Sequence, residues 1–351
     1  MNYEQELIDL VDTLVKEGGS DLHFSVGHNP SARIATDLVS FLKKPILERV
    51  DTAGFLQAMI GAEKFAQFLD TQEVDFSYEL GAHRLRGNAF FQKGNIGIAM
   101  RLLPRISDLA ELNLPSIIQT FAHKEQGFFL VVGPVGQGKS TTLAALVNII
   151  NTEQRKHIVT IEDPVEFIYP PGRSIIDQRE VGIDSHTFES ALKGAFRQDI
   201  DVILIGEMRT HETIGAAITA AETGHLVYST LHTNSASQTI DRIVDAFPGD
   251  QQAQIRIQLA NSLLGIFSQR LIPRISGGLV PAYELLINNS AVANLIRENR
   301  THEIDLVIET GTELGMIDLN RSLLDLIRRG EITTENAFAY SNSPKALERL
   351  L

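Results

Sequence analysis

Apolar residues recur at two different periods along this chain, and the change of period divides it. Over residues 3–17, Leu7, Leu10, Val11 and Leu14 fall three and four apart, which places them on one face of a helix, and Gly18-Gly19 ends the run. Ser20-Asp21-Leu22-His23-Phe24 reads as a turn into a strand, and residues 32–41 read as another. Residues 52–70, with Phe55, Leu56, Met59, Phe65 and Leu69, return to helical spacing and predict a helix interrupted near Gly61. Strands follow at 74–80, 83–91 and 96–103, joined at Gly81-Ala82 and Lys93-Gly94-Asn95. In the middle one, Arg84, Arg86 and Asn88 share one face and Leu85, Gly87 and Ala89 the other. Residues 1–103 therefore predict a small α+β domain with a polar sheet face.

Residues 104–115 lie between Pro104 and Pro115 and read as a linker whose own leucines can dock, because proline breaks both helix and ladder. From 116 onward short apolar runs alternate with helical patterns, the signature of a parallel sheet covered by helices on both faces. The runs are 127–132, 157–161, 201–206 and 226–231. Residues 251–271 predict one long amphipathic helix, 280–287 a strand, and 290–299 and 317–329 further helices, so the chain from about 288 to 351 reads as helical. The fold class is α/β, with the small domain at 1–103 and the large one at 116–351.

Between the first run and its helix stands Gly133-Pro134-Val135-Gly136-Gln137-Gly138-Lys139-Ser140-Thr141, which fits the phosphate-binding pattern G-x-x-x-x-G-K-S/T in the strand–turn–helix context that the pattern requires. The glycines let backbone amides approach an anion at the helix N-terminus. Lys139 reaches the outer phosphates and the Ser140 hydroxyl offers an oxygen to Mg²⁺. A nucleoside triphosphate is the implied ligand.

Three more strand ends carry polar residues where an open α/β sheet binds its ligands. Glu207 follows the apolar run through Gly206 and suits Mg²⁺ binding or orientation of the attacking water; a solvated strand-end carboxylate is the plainer alternative. Glu162 and Asp163 follow 157–161, a strand expected beside the phosphate loop, and supply further carboxylates near metal and water; Asp163 as a helix cap is the plainer alternative. His232, after 226–231, is either a donor to a γ-phosphate or, the commoner case, a satisfied structural histidine; the same choice holds for His225, which begins that strand and weighs less. Arg86 and Arg101 of the small domain are either solvated or fingers that reach a nucleotide held by another subunit.

Composition narrows the class. Lys and Arg total 31 against 44 Asp and Glu, a net charge of −13, which disfavours a nucleic-acid motor. There is no cysteine, hence no disulfide and no cysteine zinc site. The acidic start, Met1-Asn2-Tyr3-Glu4, lacks the order of a signal peptide, and no apolar run reaches the roughly 18 residues of a membrane span, so a cytoplasmic protein is expected.

Assembled, these motifs resemble the type IV pilus retraction ATPases, the PilT family of secretion motors, over nearly the whole chain. Ser20-Asp21-Leu22-His23 resembles the family's N-terminal motif, and Gly133–Thr142 its Walker A. Ile161-Glu162-Asp163-Pro164-Val165-Glu166 resembles its Asp box, and Gly206-Glu207-Met208-Arg209 the end of its Walker B, which adds Arg209 to the candidates. Residues 224–232 are similar to its His box and 294–298 to its Asn-Leu-Ile-Arg-Glu signature; Arg86 and Arg101 match its arginine pair. The resemblance implies a PAS-like small domain on a RecA-like ATPase domain. It also implies a homohexamer with ATP and Mg²⁺ at subunit boundaries, Glu207 as main catalytic acid and Glu162 as a second carboxylate near the metal. Hydrolysis would swing the domains through 104–115, turn an inner-membrane platform protein at the cytoplasmic face, and depolymerise pilin, with an accessory retraction ATPase as a further partner. Four positions depart from the family: Val135 and Gln137 stand where Thr and Ser are common, Ile200 replaces a proline, and Ala293 replaces an arginine.

The rivals are an accessory retraction ATPase, a pilus-assembly or type II secretion ATPase, and an ATP-binding scaffold without turnover. The assembly enzymes carry a further N-terminal domain and a four-cysteine zinc insertion, whereas this chain opens on its small domain and has no cysteine. Intact Lys139, Ser140, Glu162 and Glu207 weigh against the scaffold.

Overall fold

A computed structural model describes residues 2–34, 37–81 and 83–351, and divides them into two compact units, Met1–Arg105 and Ile106–Leu351. Each has its own core.

In the first unit the described residues form a six-stranded antiparallel sheet in the order β3-β2-β1-β6-β5-β4: β1 Gly19–Phe24, β2 Ser31–Ile34, β3 Asp37–Ser40, β4 Glu73–Leu80, β5 His83–Gln92 and β6 Asn95–Leu102. Two helices, Tyr3–Lys16 and Arg49–Thr71, cover one face. Leu7, Leu10, Val11 and Leu14 of the first helix are all buried, as their spacing requires, and pack with Leu22, Phe24, Phe55, Leu85 and Met100. Gly61 breaks the second helix with φ 78° and ψ 167°, which only glycine adopts readily. The single strand expected at 32–41 is two strands, β2 and β3, paired from Ser31↔Ser40 to Ile34↔Asp37; Ala35 and Thr36 lie outside the described residues, as does Ala82 of the next expected turn.

In the second unit the sheet is seven-stranded among the described residues, in the order β13-β12-β7-β11-β10-β8-β9. Its strands are β7 Gly127–Val132, β8 His157–Glu162, β9 Ile175–Glu180, β10 Val202–Ile205, β11 Leu226–Leu231, β12 Leu263–Pro273 and β13 Leu279–Ile287. All neighbours are parallel except β12 and β13. Strands β7 and β11 are buried at every position, as their unbroken apolar runs require of strands covered on both faces. From Ile106 the proline-bracketed segment belongs to this unit: Leu109 and Leu114 sit in the core beneath the Lys139–Glu153 helix.

Two expectations are corrected. Residues 251–271 are not one helix: a helix, Gly249–Ser262, gives way at Leu263 to β12, which is inserted between β7 and β13 and buried along most of its length. A strand buried on both faces shows no alternation, so its apolar run imitates a buried helix. Strand β8 does not adjoin β7, because β11 and β10 lie between them. The chain crosses to the far side of the sheet after the loop's helix and fills the gap later. Glu162 nevertheless reaches the site from that distance because parallel strands end on one edge.

Candidate active site

Strand β7 lifts the phosphate loop from the middle of the sheet. Gly133 has φ 147°, and a Cβ there would stand 2.4 Å from the carbonyl oxygen of Gln269, so no side chain fits. Gly138, at φ 78°, turns the chain into the Lys139–Glu153 helix, whose first amides have no partner within the helix. These amides and the loop line a cleft of ≈ 550 Å³ in which Ser140 and Thr141 take part. Lys139 is buried; its ammonium donates to the carbonyl oxygens of Gly133 (2.9 Å) and Pro134 (2.8 Å) and to His232 Nδ1 (3.2 Å). Burial lowers its pKa, opposed by the negative charges of Glu166 and Glu207.

The other wall is built from strand ends. Glu207 is fixed one residue past Gly206, whose amide donates to Ile161 across the β10–β8 pair, 2.8 Å. Its carboxylate is ion-paired with Arg209 and faces His232 Nε2 at 3.5 Å. A lysine only donates, so Nδ1 of His232 accepts and the ring proton sits on Nε2, toward Glu207. Glu162 is buried at the end of β8; Thr160 Oγ1 donates to it at 2.6 Å and Gln178 Nε2 at 3.4 Å. Burial raises its pKa, and those two hydrogen bonds oppose the rise.

Val135, Gly136, Gln137 and Asp163 also line this cleft. Asp163 joins Pro164 through a cis peptide and no helix follows, so it is not a cap. His225 lies at the opposite end of β11, with Nδ1 against the carbonyl oxygen of Ala220 at 3.0 Å; it is not brought to the cleft. Arg86 and Arg101 belong to the first unit, paired across β5 and β6, and Arg101 Nε donates to Asp21 at 2.8 Å. Burial alone would raise Asp21, but hydrogen bonds from Ser20 and Arg101 outweigh it and hold the carboxyl below its ordinary pKa. Sequence reasoning missed Glu166, Gln178 and Gln269. Only Glu166 carried a signal, as an acid at the end of the Ile161–Glu166 motif.

Magnesium takes hard oxygen donors. The cleft offers the Ser140 hydroxyl and the Glu162 and Glu207 carboxyl groups. Among the described residues no group of three or more His, Cys, Asp or Glu is arranged to hold a metal by itself. The residues fit an ion that arrives with phosphates and water.

The family described as Type II/IV secretion system protein matches residues 97–310. The chain is 41% identical over 342 residues to the type IV pilus retraction ATPase PilT of Pseudomonas aeruginosa, covering 97% of this chain and 99% of that one. It is 37% identical over 349 residues to the type IV pilus ATPase PilU of the same organism, covering 99% and 91%. Among solved structures it is similar to the pilus retraction motor PilT with bound ADP, at a TM-score of 0.89 and 43% identity over 97% of this chain and 98% of that one. Among the described residues no helix is long and apolar enough to cross a membrane.

Proposed function

The chain belongs to the type IV pilus retraction ATPases, within the type II/IV secretion family, and from that premise we propose how its residues divide the work. ATP lies with its triphosphate along residues 133–141, and Lys139 exchanges its carbonyl contacts for phosphate oxygens. Glu207 orients the attacking water and takes up its proton, with its carboxylate bracketed by Arg209 and His232. His232 touches both Lys139 and Glu207, so a change at the γ-position is carried to the acid by one side chain. Ser140 and, through water, Glu162 would hold Mg²⁺, which neutralises charge on the phosphates. Asp163 acts only as a neighbouring charge, and His225 has no part.

The observation that carries this reading is the convergence at one cleft of Lys139, which follows the phosphate loop, with His232 and Glu207, which follow two other strands: His232 lies 3.2 Å from Lys139 through Nδ1 and 3.5 Å from Glu207 through Nε2. In the same proposal the chain forms a homohexamer. Arg86 and Arg101 of one subunit complete the site of the next, and hydrolysis moves residues 1–105 against the large unit. The partners are a platform protein of the inner membrane, met at its cytoplasmic face, and through it pilin, with an accessory retraction ATPase beside it; nucleic acid is not among them. A second reading, that this chain is itself the accessory motor, has the support that PilU aligns over 349 residues, against 342 for PilT, at 37% rather than 41% identity.

Mixed rings test the shared site. Arg101→Ala and Glu207→Ala proteins are each expected to be inactive and to elute as hexamers by light scattering. Mixed and reassembled, they regain part of the ATPase activity, because some interfaces then join an intact Glu207 to an intact Arg101. Recovery of none at any ratio contradicts the shared site.

A further inference from the structure

The departure at Gln137 has a structural counterpart elsewhere in the unit. Strand β12 runs parallel to β7, so its carboxyl end reaches the same edge as the phosphate loop. There Gln137 Oε1 accepts the backbone N–H of Leu271 at 2.6 Å, and Gln269 Nε2 donates to the backbone carbonyl of Gln137 at 2.8 Å. The other end of the Gln269 amide accepts the hydroxyl of Thr142, on the first turn of the loop's helix, at 2.7 Å. Gln269 and Thr142 are buried, whereas Val135, the neighbouring departure, stands exposed at the loop tip. Each glutamine thus grips the other's strand or loop through the backbone. A serine at position 137 would be two heavy atoms shorter and would not span the gap to Leu271.

We infer that Gln137 and Gln269 are positioning residues, a reciprocal latch that fastens the phosphate loop to β12 in the shape a bound nucleotide requires. The inference rests on the nucleotide site proposed above and adds residues that touch the loop, not the reacting atoms. A loop held in its bound shape has less freedom to lose when phosphates arrive, so the latch acts on affinity. It serves substrate and transition state alike, so its loss falls on KM rather than on kcat.

The test uses the full chain with three variants: Gln137→Met, which keeps length but loses the acceptor; Gln137→Glu, which keeps the acceptor; and Lys139→Ala as the control for the site. Titration with a fluorescent methylanthraniloyl-ADP is expected to show Gln137→Met weakened roughly three- to tenfold, the size of one ordinary hydrogen bond. The KM for ATP rises by a similar factor. Amide exchange at Leu271 accelerates in Gln137→Met and returns to the native rate in Gln137→Glu. A role confined to stability would lower the active fraction and leave KM in place. Native affinity and native Leu271 exchange in Gln137→Met, with binding lost in Lys139→Ala, overturn the latch. If Lys139→Ala binds as the native protein does, the nucleotide site is what fails, and the exchange data alone decide whether the latch exists.

Discussion

Lys139 can only donate hydrogen bonds, and its contact with Nδ1 therefore orients the proton of His232 toward Glu207. Nothing in the local sequence states this. The loop is legible from its spacing, and Glu207 and His232 from standing at the ends of apolar runs. Their contacts with each other depend on strand order, which brings together residues far apart in the chain. Gln178 illustrates the limit: it reaches Glu162 because β9 pairs beside β8, and β9, two of whose six residues are exposed, has no apolar run to announce it. At this scale Gly133 gives the sharpest prediction. Gly133→Ala sets a methyl against the carbonyl of Gln269 at a φ of 147°, a strain of about 1–3 kcal/mol before any repacking. The expected outcome is a lower melting temperature together with lost ADP binding; native values for both would contradict the geometry.

Among the elements, the clearest lesson is β12. Its apolar run was continuous with the helix before it, and Gly265 alone marked the change: a Cβ there would stand 2.6 Å from the carbonyl oxygen of Leu286. The helices at Tyr3–Lys16 and Leu319–Arg328, with one face wet, kept a readable period. Pairing with β12 also places Glu284 of β13 in the interior, where it accepts the amide of Ala236 at 2.7 Å, at the start of the helix that follows the His232 loop. Burial raises its pKa from 4.5 to about 7; the nearby charges of Asp305 and Asp318 add to the rise, and Arg270 opposes it. Below pH 4.5 both folded and unfolded chains hold this proton; above it the unfolded chain releases the proton first, so this contribution to stability is lost as pH rises through about 7. The loss is on the order of 3 kcal/mol. Glu284→Gln keeps the acceptor without the charge. Melting curves at pH 5 and pH 8 are expected to show the variant gaining on the native protein at the higher pH; an equal difference at both would refute the assignment.

For the whole molecule, two units with separate cores were legible because the period changes between them, and a net charge of −13 weighed against nucleic-acid motors. Assembly was not legible in the same way, since Arg86 and Arg101 show only that two arginines share a sheet face in the unit that lacks the phosphate loop. The proposed function turns on Glu207. The most direct measurement is steady-state ATP turnover with Mg²⁺ in native and Glu207→Ala proteins, alongside ADP binding by both. The account predicts that the variant loses turnover by at least about a hundredfold, the scale of a lost acid–base group, while it binds ADP as the native protein does. Turnover that survives in Glu207→Ala, or binding lost together with it, would contradict the account.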